Sequence, residues 1–366
     1  MKILVLQEDL FRGLGVASRF VSSRAQLPVL SNILFSAKQG KLRLAATNLE
    51  MGISYKIGAK VEEEGSVTLP AKLVVELISN MPPGQVSIVE KAGQVIISTP
   101  AFSATLSSVP ASEFPTVPDE IGNVGFSLPG DVFRSIAQKV AFSAAADEAR
   151  PSLTGVLLLF GDNLRTVATD GFRLSYMEFP LGKGGKEQKF LVSARAIDEL
   201  SRILKEGEEV LVSVSEKESQ ILFVREGLVL TGRLLGGDFP DFEKVIPKVG
   251  THKAIVNKEE FARAVRAASV FAREAASVVR LGIEKDRFLV SAESQQYGKD
   301  EVVLEAKTEG EGAVAAFNYR YVLDFLGSIG GDEVSFETEG PTSPGVFKDT
   351  KDPSYKHLIM PVRIQS

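Results

Sequence analysis

Few side chains in this sequence belong to the types that do chemistry by themselves. Cysteine is absent, and the only histidines, His252 and His357, have no His or Cys company for a metal site. Asp170, within VATDGFRL, is a candidate catalytic carboxylate, although a Thr-Asp-Gly turn between strands is the commoner explanation of such a residue. Gly13 and Gly15 fall short of a dinucleotide fingerprint because Ser18 holds the third glycine position, inside a helix with no preceding strand-turn. No Walker loop and no G-x-S-x-G occur. What recurs instead is Arg and Lys on the polar sides of helix-like stretches, which suits contact with phosphates better than bond-making.

The elements that carry these cations follow from helical phase, at about 100° per residue. In the stretch 7–21, Leu10, Leu14, Ala17 and Val21 cluster on one side, with Arg12 and Arg19 opposite. Arg134 and Lys139 flank the apolar face of 131–142. Ile197, Leu200 and Leu204 form a stripe that Arg195, Arg202 and Lys205 avoid. Phe261, Val265 and Ala268 face one way, and Arg263, Arg266 and Arg273 the other. Any amphipathic helix exposes charge. Here, however, the exposed sign is mainly positive in a chain of net charge −5, so the excess acid must lie on loops and strand exteriors. Trp is absent and no recognition-helix or zinc-finger pattern appears, which argues against sequence-specific readout.

The same grammar is written three times. Helix-like stretches at 7–21, 129–143 and 257–271 open each copy, with Phe11, Phe133 and Phe261 in the shared slot. Asn257 with Glu260 resembles a capping box. Alternating strand-like runs follow at 31–51, 154–174 and 278–294, in which AATN and VATD align at Thr47 and Thr169. A second helix is predicted at 70–81, 193–204 and 318–329, with Lys72, Arg195 and Arg320 in equivalent places. The first two copies close on acid-Phe-Pro, in SEFPTVP and GDFPDFEKVIP. A threefold repeat follows, with domains 1–122, 123–247 and 248–366. Each is an α+β unit of two helices and antiparallel strands, because helices are too few for a parallel βαβ sheet. The segments 180–187 and 340–355 read as irregular hairpin loops.

Length and composition fit two or three globular domains. No apolar run of membrane-spanning length occurs, the N-terminus does not read as a signal peptide, and cytoplasmic residence is expected.

VATDGFRL, DFPDFEKVIP and the terminal HLIMPVRI, on three repeats of about 120 residues, together resemble the bacterial DNA sliding clamp, the beta subunit of DNA polymerase III. The similarity covers the whole chain. It implies the DNA-clamp fold in three tandem copies and a head-to-tail ring homodimer. It also implies no catalysis and no cofactor or metal. Sequence-independent contact with double-stranded DNA would involve Arg24 as well as Arg12, Arg19, Lys72, Arg134, Lys139, Arg195, Arg202, Lys205, Arg263, Arg266 and Arg320. DNA polymerase, clamp loader and repair proteins would dock short peptide motifs in a hydrophobic cleft.

Carried over by position, the cleft takes Leu153, Thr169, Gly171, Phe172, Arg173 and Leu174 from the second domain. The connecting segment adds Pro240, Lys244 and Val245. The third domain adds Asn318, Tyr321, Pro344, Leu358, Met360, Pro361 and Arg363. Several positions depart from the familiar pattern. Phe172 replaces a His, Ala276 an aromatic and Lys244 an Arg, which leaves the peptide preference open; among the DNA-contacting loop residues the resemblance implies, Arg24 is present but Asp147 stands where a Gln is expected. The subunit contact is expected at Val270 and Phe271 on domain three, facing Ala104, which is small where Phe is usual. Finally, QEDLF at 7–11 resembles the peptides such clamps bind. Because GDVF and KEEF hold the same slot, Leu10 and Phe11 are expected in the core.

Overall fold

A computed structural model describes the chain except residues 23–26, 121–124, 148, 182–186, 216–217, 248–250, 274–275, 311 and 364–366. The chain packs as two compact units, one of residues 1–133 with 199–234 and the other of 134–198 with 235–366. Six α-helices are described: α1 (Gln7–Ala17), α2 (Ala71–Ser79), α3 (Gly130–Lys139), α4 (Ala194–Ile203), α5 (Lys258–Ala272) and α6 (Tyr319–Ser328). The chain passes between units within α3 and α4, so the middle repeat is divided between the two bodies.

In the first unit a five-stranded antiparallel sheet runs Lys60–Glu63, Lys2–Leu6, Gln85–Lys91, Gln94–Thr99, Phe102–Ser107. A nine-stranded sheet is continuous because Met51–Gly58 pairs with Leu228–Arg233, Ile53 opposite Leu230. Helices α1 and α2 pack on each other, and α1 lies on the strands Lys41–Thr47 and Met51–Gly58. The second unit repeats the plan. Its nine-stranded sheet is joined by Arg173–Pro180 against Asp352–Ile359, and its four-stranded sheet supports α5, which packs on α6. The phenylalanines concentrate here: Phe288, Phe317, Phe336 and Phe347 meet with ring centroids 4.9–5.8 Å apart, several edge to face.

The repeat is visible in hydrogen bonds. Thr47 Oγ1 donates to the Met51 carbonyl and accepts from Leu49 N–H, while Asn48 Oδ1 accepts from Glu50 and Met51. Thr169 and Asp170 do the same across Gly171, Phe172 and Arg173. Asn257 caps α5, Oδ1 accepting from Glu260 N–H at 3.1 Å.

Three expectations change. Phe11 is 43% exposed while Leu10 is fully buried. The helix begins at Gln7, so Leu10 is its fourth residue and matches Phe133 and Phe261, the fourth residues of α3 and α5; Phe11 is rotated about 100° away. Val21 lies beyond α1, and Phe20 of the following 3-10 turn is buried instead. The segment 340–355 is no irregular loop: it holds the strand Gly345–Asp349, both of whose central apolar residues, Val346 and Phe347, are buried, and the start of Asp352–Ile359. Residues 182–186 of the other expected loop lie outside the described residues.

Candidate functional site

The region around VATDGFRL is built by one tight turn. Gly171 takes φ +92°, a left-handed backbone that glycine adopts without strain. Asp170 spends both carboxylate oxygens locally: Oδ1 accepts from the Phe172 and Arg173 amides, and Oδ2 from Arg173 Nε at 3.0 Å. That is the turn reading of Asp170.

Arg173 is the centre of the site. Its side chain is 11% exposed and reaches Asp170, Asp324 at 2.5 Å and the Phe142 carbonyl at 2.9 Å. The guanidinium lies 4.6 Å from the Tyr321 ring centroid and 5.3 Å from that of Phe142. Asp324 and Phe142 carried no sequence signal, because their role appears only when distant elements meet.

Behind the turn, Leu174 stands opposite Leu358, and both are buried with Val167, Phe239, Phe242 and Val346. The segment containing Pro240 is therefore laid over this sheet face by its own Phe239 and Phe242, leaving Pro240 and Val245 exposed. Lys244 is 83% exposed and pairs with Asp241 at 2.8 Å, which lowers the Asp241 carboxyl and raises the lysine. Above the buried floor, Phe172 is 60% and Met360 39% exposed, held together by Met360 N–H donating to the Phe172 carbonyl at 2.8 Å. Thr169 and Leu153 are buried. Asn318 caps α6 through Arg320 N–H. Pro344 precedes Gly345, where a Cβ would stand 2.6 Å from the Phe317 ring. Pro361 is half-buried and Arg363 exposed. The turn, Leu174, Leu358, Met360 and Tyr321 are thus brought together.

His357, on the opposite sheet face from Leu358, is fully buried between the rings of Phe142 and Phe325, each 5.4 Å away. Its Nδ1 is 2.8 Å from Ser175 Oγ. Burial first, then the nearby Arg173 charge, pulls its pKa down to about 3.

The cations divide by unit. In the first, Arg12, Arg19, Lys72, Arg202 and Lys205 are exposed; Arg19 and Arg202 share the buried Glu199, at 3.6 and 2.9 Å. In the second, Arg195, Arg263, Arg266 and Arg320 are exposed and Arg134 is half-buried. Lys139 departs from expectation. Its side chain is only 16% exposed, pairs with Asp352 at 2.5 Å and lies over Tyr355, so its charge is already matched. Arg24 lies outside the described residues. Ala104 is half-buried on the edge strand Phe102–Ser107; on α5, Val270 is 61% exposed and Phe271 half-buried. Asp147, whose Oδ1 accepts from Ala149 N–H, and Ala276, at φ +56°, are surface turn residues.

Paired helices on antiparallel sheets, written repeatedly with cations on the helices' solvent faces, define the DNA-clamp class. Family models of the DNA polymerase III beta subunit match in series: the N-terminal domain on residues 1–118, the central domain on 127–241 and the C-terminal domain on 243–363. The chain is 29% identical to the beta sliding clamp of Synechocystis and 28% to that of Escherichia coli, in both cases over 100% of each chain. Among solved structures, the Bacillus subtilis sliding clamp superposes with TM-score 0.95 at 26% identity. A Pseudomonas aeruginosa sliding clamp bound to griselimycin gives 0.93 at 26%, again over 100% of both chains. The chain belongs to the DNA polymerase III beta subunit family, and its function is that of a DNA sliding clamp.

Proposed function

We propose that this clamp acts as a closed head-to-tail homodimer of three-domain chains, divided at 1–122, 123–247 and 248–366, which encircles duplex DNA and tethers polymerase, clamp loader and repair proteins. It performs no catalysis of its own and works in the cytoplasm. Topology holds the ring on the duplex, so its cations need only weak contact with phosphates. Their attraction is screened over roughly 10 Å at 0.1 M salt, which centres the DNA while permitting movement along it. A polymerase peptide held in the cleft keeps the enzyme at high effective concentration near the primer end.

The observation that carries this reading is the repeated second position of the second helix. Lys72, Arg195 and Arg320 are each exposed at the same place in α2, α4 and α6. Apolar Phe172 and Met360 over a buried floor supply the anchor points for a peptide. Exposed Val270 beside Phe271 supports the subunit contact, with the edge strand carrying Ala104 as its counterpart.

The test loads the protein onto closed circular DNA with a clamp loader and ATP, raises the salt, and cuts half the sample with a restriction enzyme. Retention on circles with loss after linearisation is expected. Equal, salt-sensitive binding to both forms would replace the ring with an open electrostatic surface.

A further inference from the structure

Beside the cleft lies a cavity of about 330 Å³ that the cleft residues do not account for. Its walls are Tyr176, Phe242, Ile246 and Pro247, and its rim carries Arg165, Glu243 and Lys356. Strand alternation puts it on the cleft's own sheet face. Tyr176 pairs with Lys356 two residues along from the Leu174–Leu358 pair, about 7 Å away. Tyr176 and Ile246 pack against the same buried cluster that contains Leu174 and Leu358.

Most polar groups at the rim are already matched. Arg165 meets Glu243 at 2.8 Å. The Tyr176 hydroxyl donates to Glu178 at 3.0 Å, and burial with that carboxylate pushes the phenol up to about 12, so it stays a donor. Lys356 differs. Its Nζ lies 5.9 Å from the Tyr176 ring centroid, the side chain is half-buried, and no ion pair to it occurs among the described residues. The cavity is thus apolar-walled with one uncompensated positive charge.

We infer that this cavity is a specificity pocket for the partner peptide, and that Lys356 selects an acidic side chain flanking the apolar anchor. The inference rests on the cleft being the peptide site. An aspartate one or two residues from the anchor spans the separation, since an extended chain advances about 3.3 Å per residue. It would meet the ammonium over an aromatic face that is shielded from water on one side, where a charge pair is worth more than on open surface. The preference differs from the apolar contacts in being salt-sensitive.

The probe is a pair of end-blocked peptides built on the neutral core Gln-Gln-Asn-Leu-Phe, extended on both sides through glycine by either Asp or Asn, so that the pair differs in acid only at the flanking positions. Affinities are measured by fluorescence polarisation against wild type, Lys356→Met, which keeps the apolar stem, and Lys356→Glu. Wild type is expected to favour the Asp peptide about threefold to tenfold at low salt. That ratio is expected to fall to about one in Lys356→Met and in wild type at 1 M salt, and to invert in Lys356→Glu. The salt arm needs no variant, so a misfolded substitution cannot decide the outcome. Binding of both peptides with equal affinity in wild type, or a ratio that survives Lys356→Met, overturns the pocket and leaves the cleft standing. Binding of neither peptide removes the cleft reading, and the pocket with it.

Discussion

Acid is expected to weaken this protein through one buried imidazole. His357 is fully buried, stacked between Phe142 and Phe325, with Nδ1 at Ser175 and Nε2 without a partner among the described residues. Arg173 is the charge that faces it; Ser175 links it to Ser143 at 2.8 Å and to the Tyr355 hydroxyl, itself raised by burial. Protonation would place a second cation beside Arg173 and leave an N–H at Nε2 with no acceptor among the described residues. The folded pKa of about 3 lies below the ordinary 6.5, so the unfolded chain takes up the proton first as pH falls. The contribution is therefore complete above about pH 6.5 and shrinks progressively as pH falls from there towards 3. At 1.36 kcal/mol per unit, roughly 3 kcal/mol is lost by pH 4.5. Urea melts of wild type and His357→Phe, run from pH 7.5 to 4.5, isolate the effect, because the variant keeps a flat ring between the two phenylalanines but has no titrating group. The stability difference between the two should tilt against wild type by roughly that amount across the range. Parallel pH profiles would refute the reasoning, as would an NMR titration in a variant lacking His252 that found the remaining imidazole protonating near 6.5.

Two further outcomes follow from the geometry. Arg173→Met strands the Asp170 carboxylate and the Phe142 carbonyl; about 3 kcal/mol of stability should go, at the low end of the range for breaking a buried pair because Asp324 is 49% exposed. For a unit of this size that is a fall of roughly 6–12 °C in Tm, read by calorimetry, together with weaker peptide binding in polarisation. Leu10→Ala should destabilise by about 2–5 kcal/mol and Phe11→Ala by less than about 1 kcal/mol in the same melts; the reverse order would restore Phe11 to the core.

The sequence made legible what depends on neighbours along the chain. Helix-hairpin-helix order was readable because periods of 3.6 and 2 are local, and the Thr-Asx turns recur because short polar side chains bond their own backbone. Phase was readable only to within a residue. That margin was enough to put Phe11 where Leu10 belongs, since one residue turns a helix by about 100°. In 340–355, Pro341 and Pro344 and the Lys-Asp-Thr-Lys-Asp run concealed a strand buried on both faces, which shows no alternation to read.

Charges divide along the same line. Periodicity locates a cation on a helix face but says nothing of the acid that another element brings to it. By phase Lys139 flanks the apolar face of its helix as an exposed cation would, yet Asp352, 213 positions away, takes its charge. Glu199 draws on both Arg19 and Arg202, and Asp170 and Asp324 together hold Arg173. A phosphate competing for a paired cation must first displace a carboxylate, so attraction to DNA is weighted towards exposed groups without such partners. Lys72, Arg195, Arg263 and Arg266 meet that condition: all are exposed and none forms an ion pair among the described residues. The same distinction marks out Lys356 beside the cleft, where the neighbouring Arg165 already has its glutamate. Which charges act on a partner is thus decided by pairings between elements far apart in sequence, and those appear only once the sheets have set their register.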